Sequence, residues 1–598
     1  MAASSVAIRP ASEPVKTLAV RKPARWLTVA GLSLLVLLGA FLRLHNLDRQ
    51  SVSHVEMYVP GIRLPHGISV PEERLGLVKV VTSTLNSDTH PPAFYIVMWF
   101  WTKCFGTSAG SIRLPAALFG IASIPLMFWL GTMTNQSKAG WIAATLLAIN
   151  GHQVFWSRVA RMFTLSCFLG LLATILLLKL ARQNHTSGWL KLSYVAVLLF
   201  GLCTHVFFWL ILACHILWTA ANRSRARQAM PAALKLQLVA ALLGSPLLAI
   251  SAYQTGNTLA TLSSNTLVYA REFVQFAFAF PLLGFSSGVY SNYGAIPDNN
   301  PHLSIARWLF FGFSVILFVA GCKMPRGARN RLQVETDGSF RKLWLGAGVL
   351  GTLCILAFIW VARTFAHPGA ALRNTERMIA LPLILAVAAI LLEKNWARLS
   401  SRTFGLVRNH LVSGEQGLIV ILATAPLLLL ALISLGKPIL NARGMLPLAP
   451  YLLLLLSAGI VRLGRNPVVL TVILLAVVGA QVIGLWQYNH MTAGRADYKS
   501  LAAALGPQLE STDLVFLHPE FYSTPLFFYM NSSSTQFVGR DYDRACRNHP
   551  QARVWVLWFY NYEPKLSPAV QASLVNYRRA GSIEVDGGQT ILYLPISQ

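Results

Sequence analysis

Residues 26–44 read WLTVAGLSLLVLLGAFLRL, preceded by Arg9, Lys16, Arg21, Lys22 and Arg25. A helix needs ~20 apolar residues to cross ~30 Å of hydrocarbon. This run is too long for a signal-peptide core, and no convincing cleavage site follows it. It therefore predicts an uncleaved first span, with residues 1–25 on the cytoplasmic side. Similar runs recur at 112–132, 139–156, 162–180, 189–203, 206–221, 236–252, 306–322, 343–362, 376–392, 417–435, 443–461 and 467–487, which makes thirteen. The runs are continuous rather than alternating, so the spanning form is a helical bundle, not a barrel. The chain is 55% hydrophobic and only 12% charged, with mean hydropathy +0.53. A soluble domain carries about twice that charge fraction.

Lys+Arg number 50 against 22 Asp+Glu, a net charge of +28. In a bundle this excess belongs to loops that fix topology and touch anionic lipid, not to nucleic-acid binding. Basic clusters at 223–235, 323–342, 394–408 and 462–465 all fall on the cytoplasmic side of the count. The outer loops are then 45–111 and 253–305, and the polar tail 488–598 also lies outside. The run Pro92–Phe105 is too short to span and reads as a re-entrant or interfacial helix of the first outer loop. An alternative count makes it a span and fuses 189–221 into one kinked helix. The seven cysteines show no disulfide or zinc spacing.

The expected architecture is a polytopic α-helical membrane domain, 26–487, with a small extracytoplasmic α/β domain, 488–598. Strands are expected at 513–519, 552–559 and 589–595, and helices at 496–506, 566–578 and near 523–530. The tail lacks a glycine-rich phosphate loop, so no nucleotide is assigned to it.

The polar residues that could carry chemistry lie near the outer ends of the spans. In Asp88-Thr89-His90-Pro91-Pro92, two prolines fix the chain before an apolar helix. A carboxylate beside an imidazole at that place suits a general base or a divalent metal. Ser157-Arg158-Val159-Ala160-Arg161 joins two spans, and Thr204-His205 interrupts a long apolar stretch. Arg377 and Arg443 begin spans. Arginines on one side of the bundle either snorkel to headgroups or form a site for an anionic group such as a lipid phosphate.

With these residues in view, the chain resembles bacterial family-39/83 glycosyltransferases of the GT-C type, related to protein O-mannosyltransferases and the lipid A aminoarabinose transferase. The resemblance is carried by LRLHNLDRQSVSHVEMY (42–58), HPPAFYIVMWFWTKCFGTSAGSIRLPAALFGIASIPLMFWLG (90–131), VFWSRVARMFTL (154–165), LCTHVFF (202–208) and NARGMLPLAPYLLLLLSAGI (441–460). It covers most of the chain, and 90–131 is its most specific part. It implies an enzyme of the bacterial inner membrane that moves a hexosyl or pentosyl group, with inversion, from a polyprenyl-phosphate donor to a protein, lipid or glycan acceptor outside the cytoplasm. It makes the first outer loop catalytic and places 157–161 outside. The family's acidic pair before a tyrosine is here Val55-Glu56, with Tyr58 matching the tyrosine. The acid of the 157–163 loop is here Val159.

The residues this assigns are Glu56, favoured over Asp88, as base. Arg161, Arg377 and Arg443 would hold the donor phosphate. His90, His205 and Tyr58 would contact substrate, the two histidines offering ligands for a divalent metal. Val55 and Val159 keep a second reading open: a relative that binds a polyprenyl lipid or a partner without catalysis. A transporter would show internal repeats and mid-bilayer charges; the sequence shows neither.

Overall fold

In the computed structural model of the chain, residues 25–62, 76–87, 90–183, 187–222, 229–259, 313–322, 414–434, 443–490, 496–518, 520–530, 536–559, 566–585 and 587–596 are described. The expected spans 343–362 and 376–392 and residues 260–305 of the second outer loop lie outside these residues; 253–259 continue the helix that precedes that loop.

The bundle begins with α1 (Arg25–Leu44). A short 3₁₀ helix (His54–Tyr58), α2 (Leu77–Ser87) and α3 (Ala93–Phe105) follow. Then come α4 (Ala109–Met133), α5 (Ser137–Ile149), α6 (Gly151–Ser157), α7 (Phe163–Arg182), α8 (Gly188–Leu202), α9 (Phe208–Ala221) and α10 (Ala229–Leu259). The helix Phe313–Cys322 is α11, and α12 (Gly414–Ser434), α13 (Ala449–Leu463) and α14 (Pro467–His490) complete the bundle. Among the described residues, seven helices are long and apolar enough to cross a membrane, and shorter apolar helices pack between them.

Three features of the bundle have local causes. The single span expected at 139–156 is broken at Asn150, whose side chain accepts from Gln153 N at 3.2 Å and so starts a new helix, α6. The 189–221 stretch is not one kinked helix. The Tyr194 hydroxyl meets His215 Nδ1 at 3.1 Å across 21 residues of sequence, which requires α8 and α9 to run antiparallel as a hairpin. Gln237 on α10 closes this pair by donating to Tyr194 at 3.1 Å and to Thr219 at 3.0 Å. Helix α3 is ~20 Å long at 1.5 Å per residue, well short of the bilayer core. Its first amide, Ala93 N, donates to Cys203 O at 2.9 Å, which seats it on the α8–α9 turn.

Helix packing inside lipid gains nothing from excluding water, so backbones must approach closely. Gly131 of α4 and Gly140 of α5 do this: a Cβ added at Gly131 would stand 2.3 Å from Gly140 Cα. Gly459 of α13 sits equally close to Leu317 O of α11. Arg43, fully buried near the end of α1, bonds to no acid among the described residues. It donates to Ala148 O at 2.8 Å and Leu147 O at 2.9 Å, with Nε on Ser157 Oγ at 3.1 Å. Those carbonyls are the unsatisfied end of α5, where the helix dipole is negative. The guanidinium thus ties α1 to α5 and α6.

The tail holds a five-stranded sheet, order β2-β1-β3-β5-β4. Its strands are β1 (Leu514–His518), β2 (Gln536–Val538), β3 (Val554–Trp558), β4 (Tyr577–Val585) and β5 (Gly588–Pro595). β1 pairs in parallel with β2 and β3, and β5 pairs antiparallel with β3 and β4. Alternate residues build two cores. Val515, Leu517, Trp555 and Leu557 pack under α15 (Tyr498–Leu505). Leu514, Phe516, Val554 and Val556 pack with Cys546 of α17 (Tyr542–Asn548) and Val570 of α18 (Pro568–Ser573). The short α16 (Glu520–Ser523) follows β1. The helix expected at 566–578 stops at Ser573, because 577–585 is drawn into the sheet as an edge strand.

This sheet domain lies against the first loop. Ser51 Oγ donates to Asp497 at 3.0 Å, Lys499 N donates to Ser51 Oγ at 3.1 Å, and Val52 N donates to the Tyr529 hydroxyl at 2.7 Å. The tail and the first loop therefore share one side of the bundle.

Candidate functional site

Glu56 sits in the 3₁₀ helix of the first loop and is fully buried. Its Oε1 accepts from Arg113 Nε at 2.8 Å and from Ala160 N at 3.0 Å. Its Oε2 accepts from Arg113 Nη2 at 3.0 Å, Ser53 N at 2.9 Å and Ser53 Oγ at 3.0 Å. The remaining Arg113 donors go to the carbonyls of Leu47 at 3.0 Å, Gln50 at 2.8 Å and Ser51 at 2.9 Å. A carboxylate filled in this way organises three pieces of chain: the first loop, α4 and the 158–162 turn. Its lone pairs are already engaged by protein donors. Arg113, which sequence reading passed over, carried a usable signal: a charge just inside an apolar span is expensive there and implies a partner.

The other expected residues converge a few residues away. α3 is pinned at the α8–α9 turn, so His90, which precedes it, stacks on His205 with ring centroids 5.4 Å apart and planes at 27°. Phe163, the first residue of α7, meets both rings edge-on, at 6.4 Å from His90 and 5.6 Å from His205. Arg161 is buried in the turn before α7, donates to the Tyr95 hydroxyl at 2.6 Å, and lies 5.8 Å from the Tyr58 ring and 5.9 Å from the Tyr95 ring. Burial holds His205 well below its ordinary imidazole range, and His90, Arg161 and Arg443 lower it further by repulsion. Arg443 thus belongs to the same cluster, at the turn that leads into α13. Asp88 and Arg377 lie outside the described residues. Val55 and Val159 are both buried and apolar.

The tautomer of His205 follows from its bonds. Phe207 N donates to His205 Nδ1 at 3.1 Å, so in the neutral ring the proton is on Nε2. That Nε2 is buried and has no hydrogen-bond partner among the described residues. A buried polar hydrogen without an acceptor costs free energy that a bound oxygen would recover. A protonated Nε2 has no lone pair for a metal, and its described neighbours Arg161 and Arg443 are cations. This donor set does not fit a divalent metal; it fits an anion or a sugar oxygen. Among the described residues no group of three or more His, Cys, Asp or Glu is placed to hold a metal.

No family model matches the chain, and no curated protein matches it. Several solved structures are similar to it. One is the oligosaccharyltransferase of Archaeoglobus fulgidus in the apo form, at 12% identity and TM-score 0.41, covering 96% of this chain and 74% of that one. Another is AglB of the same organism in complex with an inhibitory peptide and a dolichol-phosphate, at 11% identity and TM-score 0.43, covering 95% and 74%. A third is ArnT from Cupriavidus metallidurans bound to undecaprenyl phosphate, at 12% identity and TM-score 0.36, covering 96% and 98%. At these values the likeness extends to the general course of the chain and assigns no role to any residue.

Proposed function

We propose that the chain is a membrane glycosyltransferase that takes a sugar from a polyprenyl-phosphate carrier on the side of the bundle where the tail lies, the extracytoplasmic face. The observation that carries this reading is the cluster of Arg161, His90, His205 and Arg443, with the buried Nε2–H of His205 lacking an acceptor. It is a set of donors and positive charge at a helix-end level, which suits a lipid phosphate at the membrane surface. The sequence resemblance points to the same class.

In the proposed reaction an acceptor hydroxyl or amine attacks the anomeric carbon, and the bond from that carbon to the carrier phosphate oxygen breaks. The phosphate leaves with the electron pair as a carrier monoester, and a single displacement inverts the anomeric centre. The transition state is oxocarbenium-like. Arg161, Arg443 and the His205 Nε2–H stabilise the leaving phosphate, with Arg377 assigned to the same role from sequence. The acceptor proton goes to Asp88. That assignment rests on sequence: Glu56 is committed to Arg113, and Asp88 is the first-loop acid two residues before His90. A second reading, a lipid-binding relative without turnover, is favoured by the two buried valines at 55 and 159.

The test is donor binding by Arg443 variants. Arg443→Ala is expected to weaken affinity for undecaprenyl phosphate while the bundle stays folded. Arg443→Lys should restore affinity only in part, since an ammonium cannot grip phosphate with two parallel bonds. Unchanged affinity in Arg443→Ala removes the phosphate-site reading.

A further inference from the structure

We propose that Tyr95 is a positioning residue for the donor phosphate, acting through Arg161; the proposal rests on the reading of Arg161 as a phosphate ligand. The side chain of Tyr95 is wholly buried on α3. Its hydroxyl oxygen accepts from Arg161 Nη1 at 2.6 Å. The same guanidinium carbon lies 5.8 Å from the Tyr58 ring and 5.9 Å from the Tyr95 ring. One nitrogen is thus tied down and two aromatic rings flank the group.

Arginine recognises phosphate with a planar fork of N–H donors, and that fork is useful only when its plane is fixed. A long side chain otherwise loses rotamer freedom on binding. Here α3 supplies the restraint before the ligand arrives. Helix α3 is itself fixed by the bond from Ala93 N to Cys203 O, at the turn that carries His205. The Tyr95 hydroxyl and the His205 ring are therefore referenced to one rigid corner, and Arg161 is aimed relative to that corner. Tyr95 acts without touching the phosphate, and its loss should loosen the aim of Arg161 without removing its charge.

The experiment is a double-mutant cycle on the full-length protein in detergent, with undecaprenyl phosphate as the titrated ligand and thermal unfolding as the check of folding. Tyr95→Phe keeps the ring and removes the hydroxyl. It is expected to weaken binding about 5–10-fold, the worth of one ordinary hydrogen bond, with an unchanged unfolding midpoint. In an Arg161→Ala background the same Tyr95→Phe change should have no further effect, because the residue it positions is gone. If Arg161→Ala alone leaves affinity unchanged, the phosphate role of Arg161 fails and the proposal falls with it. If Arg161→Ala weakens binding but Tyr95→Phe does not, or does so equally in both backgrounds, the phosphate role stands and the positioning role is overturned. Should Tyr95→Phe not fold, Arg161→Lys decides: a loss of at least fivefold supports a fixed fork, and full retention of affinity overturns it.

Discussion

The guanidinium of Arg113 and the carboxylate of Glu56 face each other with two parallel contacts, 2.8 Å and 3.0 Å, at a point where both side chains are almost entirely shielded from solvent. The pair joins α4 to the first loop, and Ala160 N ties the 158–162 turn to the same carboxylate. Removing one member of a buried pair leaves the other charge uncompensated, at a cost of about 3–5 kcal/mol. Glu56→Gln and Arg113→Met should each lower the thermal midpoint of the purified protein by a similar amount. A Glu56→Gln protein that unfolds like wild type but has lost turnover would return Glu56 to the base role.

Close helix contact makes a second expectation. Gly131→Ala places a methyl group 2.3 Å from the Gly140 backbone, where no side chain can move aside. Helices α4 and α5 must separate, and overpacking of this kind costs about 1–3 kcal/mol. Gly188→Ala, where nothing lies within 4 Å, is the control and should leave the midpoint unchanged. Equal midpoints for the two variants would show that α4 and α5 are not packed through these glycines.

Contact between the tail and the first loop should depend on acid. Partial burial pushes the Asp497 carboxyl up, but hydrogen bonds from Ser500, Ser51 and the Lys499 backbone outweigh it and hold the group below its ordinary value of 3.8. A carboxylate with a lowered folded-state pKa stabilises the docked state above that value and loses this contribution as pH falls below it. Limited proteolysis between the last helix and the tail should therefore accelerate below about pH 4 in wild type, more steeply than in Asp497→Asn. Identical acid profiles would remove Asp497 from the interface.

Tail and first loop share a side, and the charge pattern of the loops predicts that this side is outside. A C-terminal alkaline phosphatase fusion should then be active and a green-fluorescent fusion dark. The reverse pattern would put the candidate site on the cytoplasmic face.

Long apolar runs were legible because bilayer thickness fixes their length; α1, α4, α7 and α14 begin and end within a few residues of the expected limits. Breaks inside such runs were legible only where a polar residue marked them. Thr204-His205 did, and α8 and α9 indeed form a hairpin there. Asn150 was passed over, although an asparagine with helix-capping chemistry inside a span is the same kind of mark. β4 was hidden because its alternating pattern is mostly polar: Arg578 and Arg579 are exposed on an edge strand, which has one neighbour and little need of apolar residues. In the site, His90, His205, Arg161 and Arg443 were each found as polar groups near the span ends, but their convergence depends on α3 docking at the α8–α9 turn, which no spacing encodes. Glu56 was singled out as a candidate base, and nothing in the sequence signalled that Arg113, Ser53 and Ala160 N would all bond its carboxylate. Its partner Arg113 lies 57 residues further along the chain.

The most direct test is consumption of a radiolabelled polyprenyl-phosphate sugar by the purified full-length protein, with hexose and pentose donors offered in turn. Wild type should release label from at least one carrier. Asp88→Asn should bind undecaprenyl phosphate normally but turn over about 10²–10⁴-fold more slowly, the range for loss of a general base. Binding of undecaprenyl phosphate without release of label from any donor would contradict the account and leave a lipid-binding protein in its place.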